Sequence, residues 1–554
     1  MIQVGPGATS TLGALPPLCY RPRLLMNSSD FDSPLVTPLT RRRFLLSASV
    51  CAGLALTARY SSHALAQPRY GTNPFALGIA SGDPSPDGMV LWTRLAPEPL
   101  LGGGMAPQDV LVRWQLASDE GMKKIVQRGT ALATAALGHS VHVEVEGLKP
   151  ARHYWYQFET NGVLSPIGRT RTMPALDARP DRLRFAFASC QNWATGYYAA
   201  YRHMAQEDLD LVVHLGDYIY EGVPSENNAR KIVLARDVRD EPMTVHQYRL
   251  RHALYRLDPD LQHAHANFPF IVTWDDHEVE NNYAADRDQN GSPPEEFLVR
   301  RAAAYQVYYE HMPLRRSSMP HGPYAQLYRR LTFGDLAQFH VLDTRQYRSA
   351  QANGDGNKPR NAASLDPNRV FMGGAQEKWL MSGLTQSHAR WNVLAQQIIM
   401  TQFGHLSADG TNYSMDAWDG YPVERARLMN FLATQKPHNP IVLSGDSHTN
   451  LISDLKADFD KPKSPIVGVE FAGTSISSNG SSKRAQEAVE KDVAAQPHLK
   501  WFEGTKRGYI SCTVERKQWR SDVLQVADVK DAASPVRVGP SWVVREGEPG
   551  VHPA

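Results

Sequence analysis

Apolar residues in this chain gather into short runs, and four of these runs end on ionisable side chains. They cover residues 185–190, 211–220, 270–278 and 441–448. A short apolar run closed by polar residues predicts a buried strand that stops at a solvent-accessible edge. Further apolar runs at 336–342 and 391–394 are interleaved with amphipathic stretches at 197–207, 245–257, 295–311 and 376–384. Strands alternating with helices in this way predict an α/β domain over residues 175–554. Residues 508–514 and 521–526 predict a late hairpin that extends the sheet, and the Ser/Gly-rich stretch 473–486 predicts a surface loop.

The segment ahead of that domain has a different rhythm. Residues 77–94 read as strand, turn, strand, and 110–116 and 140–145 alternate apolar with polar positions. Residues 147–156 resemble the stretch of fibronectin type III domains that carries a buried tyrosine. Residues 67–174 are therefore expected to form a small all-β (fibronectin/Ig-like) sandwich, with a linker running from 173 to 180. Residues 1–66 read as a twin-arginine signal peptide with a long amino-terminal region. Arg41-Arg42-Arg43 precede an apolar stretch at 44–58, and Ala64-Leu65-Ala66 follows as a cleavage motif. The apolar stretch is shorter than the roughly 20 residues a bilayer span needs, so no stable membrane span is expected after cleavage. The expected route is export of the folded chain by the twin-arginine machinery to the periplasm or the exterior, with Met1 and Met26 both open as the start.

The bulk numbers narrow the partners. With 554 residues, 42% hydrophobic, 21% charged and a formal net charge of +2, the composition is that of an ordinary globular protein of two or three domains. That balance gives no basis for a nucleic-acid scaffold role or for binding to a membrane surface, so anion recognition has to be local to a site. Of four cysteines, Cys19 and Cys51 leave with the leader. Cys190 and Cys512 remain, which excludes a disulfide-rich framework.

At the strand ends the chemistry is that of metal ligands. Asp217 follows a glycine and is succeeded by Tyr220; a carboxylate can bridge cations, and a phenolate suits a trivalent ion. Asp275-Asp276-His277-Glu278 places four ionisable groups together, and adjacent carboxylates repel unless a cation or proton lies between them. Asp446 and His448 are two apart, so an extended backbone points both to one side. Cys190 reads either as a small buried hydrophobe or as a thiolate ligand. Arg345, just past a strand, could hold a substrate anion bidentately or pair with Asp343. Asn281 and Asn282 could reach a phosphate or simply close a turn. Delivered to one sheet edge, these residues would form a single polynuclear metal centre.

The motifs Gly216-Asp217-x-x-Tyr220, Asp276-His277-Glu278 and Gly445-Asp446-Ser447-His448 resemble those of the calcineurin-like metallophosphoesterases, specifically the PhoD-like alkaline phosphatases. Gly78-Ile79-Ala80-Ser81-Gly82-Asp83-Pro84 with Leu91-Trp92-Thr93-Arg94, and the twin-arginine leader, are also typical of that family. Three places depart from the wider superfamily and match the narrower one. Ser189-Cys190 replaces Asp-x-His, Asp275-Asp276-His277 replaces Gly-Asn-His, and Gly445-Asp446-Ser447-His448 replaces Gly-His-x-His. The superfamily's middle-region histidine has no clear counterpart; Gln396 and Gln397 lie nearest to its place.

The resemblance implies a metallophosphoesterase-type β-sandwich flanked by helices, and an Fe(III)/Ca(II) centre. Cys190, Asp217, Tyr220 and His448 would hold iron, and Asp217, Asp276 and Asp446 would face calcium. His277 is the expected catalytic residue, protonating the leaving group, and Asn281 and Arg345 are the expected substrate contacts. The leading expectation is an exported alkaline phosphatase/phosphodiesterase that hydrolyses monoesters and diesters by hydroxide attack at that centre. A second reading is a phospholipase D, for which an apolar rim from Tyr305, Tyr308, Tyr309, Trp418 and Tyr421 would be the mark. A third is a non-catalytic envelope adhesion protein that keeps a remnant metal site.

Overall fold

The computed structural model describes residues 70–554; the expected leader lies outside them. Two sheets face each other across the main core. The first has ten strands in the order Glu548–Pro553, Val536–Arg545, Gln518–Val526, Arg507–Glu515, Arg182–Ala188, Leu211–His214, Pro269–Val272, Ile79–Ser85, Gly88–Arg94 and Ser140–Val145. The second has seven: Arg329–Phe333, Ala337–Val341, Trp391–Ala395, Pro440–Ser444, Ile466–Ala472, Asn450–Lys456 and Leu499–Glu503. In both sheets the central strands run parallel, so their carboxyl ends open on one edge.

Strand alternation explains the layers. Phe185, Phe187, Val213 and Ile271 of the first sheet pack against Phe339, Val341, Val393, Ile441 and Leu443 of the second. The intervening residues Ala186, Ala188, Val212, Phe270 and Val272 point the other way, into a core shared with helices Ala199–Met204, Val245–Arg256, Pro259–Asn267 and Pro294–His311. Leu394 and Val442 of the second sheet likewise meet helices Gly374–Gln386 and Pro422–Gln435. Both sheets are thus buried on two faces, which is why their strands read as continuous apolar runs. The late hairpin forms as expected, with Arg507–Glu515 antiparallel to Arg182–Ala188. Helices start where their caps dictate: Thr244 and Gln247 make a capping box, and Asp258 caps the helix that begins with Pro259.

Two expectations are redrawn. The amino-terminal strands do not make a self-contained sandwich. Ile79–Ser85 pairs in parallel with Pro269–Val272, so Ile79–Ser85, Gly88–Arg94 and Ser140–Val145 continue the ten-stranded sheet. A separate five-stranded sheet built on Val110–Ala117, Ile125–Ala133 and His153–Thr160 closes over them around Leu91, Val112, Val143 and Tyr156. Tyr154 is buried, and its phenol accepts a hydrogen bond from the Lys149 N–H at 3.0 Å. A polar seam ties this region to the helices. The Trp92 indole donates to the Glu310 carbonyl at 3.1 Å, and Arg94 lies 2.8 Å from the His311 ring. The second change is the expected surface loop at 473–486: residues 473–478 are buried, and Lys483–Ala494 is a helix.

Because the amino-terminal strands supply the neighbour of Pro269–Val272, deleting residues 67–174 would bare a central strand and the apolar surface beneath it. The mature chain is expected to unfold in one calorimetric transition, and a 175–554 fragment to be insoluble. A soluble fragment with its own transition would show the two parts to be independent.

Candidate metal centre

The four predicted strand ends converge. Cys190, Asp217 and His448 bring one potential ligand atom each within 4.8 Å of one another, and so do Asp217, Asp276 and His277, and Asp275, Asp276 and Asp446. Asp217 and Asp276 are each shared between two groups, so the three form one continuous cluster. Cys190, Asp217 and Asp276 lie deep, whereas His277, Asp446 and His448 are partly exposed and give the cluster an open side. Tyr220 closes the Cys190 end: its hydroxyl donates to Asp217 Oδ2 at 2.7 Å and lies 2.9 Å from His448 Nε2.

The backbone reaches these positions only under strain. Cys190, Asp217, Asp446 and His448 have φ values of 59°, 56°, 59° and 56°. This left-handed region costs non-glycine residues about 1–3 kcal/mol each and persists only where the surroundings enforce it. Here they do. The Cys190 N–H donates to the Gly216 carbonyl at 3.1 Å, and the Gly445 N–H to that of Gln397 at 2.6 Å. Gly216 and Gly445 leave no room for a side chain: a Cβ would fall 2.5 Å from Asp275 Cβ in the first case and 2.3 Å from Ser189 Oγ in the second. The glycine before each aspartate is therefore a packing requirement of the loop contact.

Several supporting contacts, though not Glu278 itself, escaped the sequence reading. Glu278 is buried, and its carboxylate accepts the N–H groups of Tyr218 at 2.7 Å, Asp275 at 2.8 Å and Asp217 at 3.2 Å, tying two ligand loops together. Glu221 accepts from His277 Nδ1 at 2.7 Å and from the Asn281 N–H at 2.8 Å. Ser478, from the stretch expected to be a surface loop, donates to Tyr220 Oη and is placed to bond the Cys190 carbonyl, both at 2.8 Å. His448 Nδ1 sits 2.9 Å from the Asn479 carbonyl, which leaves Nε2 toward the cluster. An unpatterned Ser/Gly tract carries no signal for such contacts, because chain crossings set them.

Arg345 lies at the cluster, but its side-chain contacts are with the cluster's own carboxylates. Its side chain is 0% exposed and reaches Asp416 Oδ2 at 2.9 Å, Asp446 Oδ1 at 3.2 Å and Asp276 Oδ1 at 3.6 Å, with Asp275 on Nε. Asp343 accepts only its backbone N–H. With its donors committed to carboxylates, Arg345 is a buried counter-ion and offers no free face to a substrate anion. Gln396 and Gln397 are also spent internally. Gln397 Nε2 bridges Thr273 Oγ1 at 2.8 Å and the Leu342 carbonyl at 2.9 Å, and Gln396 contacts Ser444 and Trp418. Asn281 lines the cavity beside His277, and the Asn282 N–H donates to Asp276 Oδ2 at 2.6 Å.

The cluster is short of positive charge. Asp217 Oδ1, Asp275 Oδ2 and Asp276 Oδ1 are buried acceptors with no hydrogen-bond partner. Burial, joined by neighbouring carboxylates, drives Asp217 and Asp275 well above the ordinary carboxylate range and Asp446 up to about 7. Burial also raises Glu278 to about 7 against its three N–H donors, and it holds the Cys190 thiol and Tyr220 phenol well above their usual values. Asp276 stays low, where Arg345 and His277 outweigh burial, and Asp416 is lowered by Arg345 and Arg348. Orphaned oxygens and displaced proton affinities at one point fit multivalent cations, which satisfy the acceptors and restore ionisation. Thiolate, phenolate and imidazole on one side and carboxylates on the other are the donor types that divide a transition metal from calcium.

A family model described as "PhoD-like phosphatase" matches residues 185–523, and one described as "PhoD-like phosphatase, N-terminal domain" matches residues 61–174. The chain is 49% identical over 519 residues to "Alkaline phosphatase D" of Bacillus subtilis (strain 168), covering 92% of this chain and 88% of the relative. A solved structure titled "Structure of PhoD" superposes with a TM-score of 0.84 at 49% identity, over 88% of this chain and 93% of that one. A purple acid phosphatase from yellow lupin aligns at 10% identity with a TM-score of 0.47, over 84% of this chain and 74% of that one.

Stripping metal should expose the charge deficit as a pH dependence. Asp446 and Glu278 bind protons more tightly folded than unfolded, so their contribution is complete below about pH 4 and is lost as pH rises through about 7. Chelated protein is expected to lose melting temperature across that window, and metal-loaded protein to stay level there. Parallel melting curves in both forms would contradict a cation-dependent cluster.

Proposed function

The chain belongs to the PhoD-like phosphatase family, and from that premise we propose that it hydrolyses phosphate monoesters and diesters at an Fe(III)/Ca(II) centre. That it is a phosphoric ester hydrolase of the alkaline phosphatase type follows from the 49% identity over 92% of its length. The observation that carries the finer reading is the single cluster of Cys190, Asp217, Asp276, Asp446 and His448 with unpartnered carboxylate oxygens inside it. Cys190, Asp217, Tyr220 and His448 would hold iron, and Asp217, Asp276 and Asp446 would hold calcium. Such ions, when bound, supply Lewis acidity that acidifies water and neutralises phosphoryl oxygens.

The chain's own part is to place and protonate the ester. A cavity of about 880 Å³ adjoins the cluster and includes Tyr220, His277, Asn281 and Asn479 in its wall. Burial alone would lower the His277 pKa, but the carboxylates of Glu221, Asp276 and Asp217 override it and hold the ring protonated well above its ordinary range. Glu221 fixes Nδ1, which leaves Nε2 as the remaining donor for the departing alkoxide. Asn281, whose backbone is fixed by Glu221, is the substrate contact we retain.

The aromatics expected to rim a lipid site lend no support to a phospholipase D. Tyr305, Tyr308, Tyr309, Trp418 and Tyr421 are all buried in helix-facing cores. An adhesion role with a remnant site gives way to the enzyme assignment. Folded export to the periplasm or exterior by the twin-arginine machinery is our reading of residues 1–66; among the described residues no helix is long and apolar enough to cross a membrane.

Purified mature protein is expected to contain iron and calcium, to turn over 4-nitrophenyl phosphate and bis(4-nitrophenyl) phosphate, and to lose both activities with chelator. A visible charge-transfer band should shift in Tyr220→Phe and in Cys190→Ala, with iron content and rate falling together in the latter. A colourless, fully active Cys190→Ala protein would reject the thiolate ligand. Glu221→Gln removes the main support for the His277 proton, so the alkaline limb of the pH–rate profile should move to lower pH. An unmoved limb would assign that limb to another group.

A further inference from the structure

We propose that the cavity beside the metal cluster carries a second anion-binding subsite, formed by Lys231 and Lys530, which selects substrates whose leaving group bears another phosphate. The proposal rests on the phosphatase reading above, since it concerns the group that departs toward His277. Lys231 and Lys530 share the cavity wall with Tyr220 and His277. Both side chains are exposed, and among the described residues neither ammonium has a hydrogen-bond or ion-pair partner. The acid in that wall, Glu221, is already taken by His277 and by the Asn281 N–H. The wall therefore holds uncompensated positive charge in a chain whose total is only +2.

The loops that present these lysines are fastened down. Lys231 has a φ of 55° in a turn where its N–H donates to the Asn228 carbonyl at 3.0 Å and Asn228 Nδ2 donates to the Ile232 carbonyl at 2.7 Å. Its neighbour Arg230 is sunk beneath the turn, paired with Asp258 at 2.6 Å and stacked over Trp193 and Tyr198. Lys530 lies in a loop whose Val529 carbonyl accepts from the Tyr197 N–H at 2.7 Å and whose Ser534 carbonyl accepts from Arg202 at 3.2 Å. The Lys530 N–H itself is held by Asp528 at 2.9 Å. With the backbone at both lysines already anchored, an anion that meets them has to order the side chains but not the loops.

The geometry gives each group its place. The phosphoryl group to be transferred belongs at the cluster, and the ester oxygen that leaves belongs at His277. The remainder of the leaving group must then occupy the cavity, where a second phosphate meets Lys231 and Lys530. Two exposed charge pairs of this kind are together worth about tenfold in affinity, expressed mainly in KM and weakened by salt.

Steady-state kinetics of the metal-loaded mature enzyme test this with 4-nitrophenyl phosphate, fructose 1-phosphate and fructose 1,6-bisphosphate. Wild type is expected to favour the bisphosphate over the monophosphate in kcat/KM. The Lys231→Ala/Lys530→Ala variant should lose about tenfold of that preference through KM, Lys231→Arg/Lys530→Arg should restore it, and 0.5 M salt should erode it in wild type. Turnover of 4-nitrophenyl phosphate with no bisphosphate preference, or a preference unchanged in the alanine variant, overturns the subsite. Absence of turnover on all three substrates fails the phosphatase reading itself and the subsite with it.

Discussion

The architecture depends on a concentration of carboxylates that it cannot neutralise by itself. Asp217, Asp275, Asp276, Asp416 and Asp446 come together around Arg345, a guanidinium with 0% exposure that reaches all of them except Asp217. One arginine, helped by Arg348 on Asp416 and by His277, leaves the cluster anionic and leaves three of its carboxylate oxygens with no donor. In a buried setting such a deficit is expensive. It is resolved either by protons, as the raised affinities of Asp217, Asp275 and Asp446 indicate, or by bound cations. A fold that holds this arrangement stores the demand for metal in its own electrostatics.

Holding it requires both sheets. Arg182–Ala188, Leu211–His214 and Pro269–Val272 deliver Cys190, Asp217 and Asp275–His277 from the first sheet, and Pro440–Ser444 delivers Asp446 and His448 from the second. The strained backbone at four of these ligand positions is tolerated because loop carbonyls, Glu278 and Ser478 lock the strand ends against one another. The sheet edge is thereby braced around the candidate centre, in which the potential ligand atoms of each group of three lie within 4.8 Å of one another.

The amino-terminal strands contribute indirectly. They extend the first sheet beyond Pro269–Val272, the strand that leads into the Asp275–Glu278 turn, and they pack Trp92 and Arg94 against the helices carrying Arg256 and His311. A region with no group in the centre thus buttresses one of its ligand loops. The open side of the centre is formed by other segments, the loops that carry Glu221, Lys231, Asn479 and Lys530, and there the electrostatics turn from anionic to cationic. Substrate would bridge the two fields.

Much of this was legible in the sequence because periodicity and chemistry coincide at strand ends. An apolar run of four to seven residues can only be buried, and the ionisable residues that follow it must emerge at the sheet edge. Cys190, Asp217, Tyr220, Asp276, His277, Asp446 and His448 could therefore be gathered into one centre before any coordinates, and a family resemblance supplied the expected metals. Tertiary structure alone decided the rest. Arg345 follows a strand just as a substrate-binding residue would, and only the crossing of chains made it a counter-ion. Glu221, Ser478 and Asp416 lie in segments with no periodic signal, and Glu278, though at a strand end, binds backbone N–H groups of another loop, so their roles come from which loops meet. The amino-terminal strands alternate like those of an independent sandwich, but pairing across to Pro269–Val272 is a long-range choice that local pattern does not encode. Sequence fixes which side chains reach the sheet edge, since that follows from burial along one strand; only the packing of distant strands decides which of them meet.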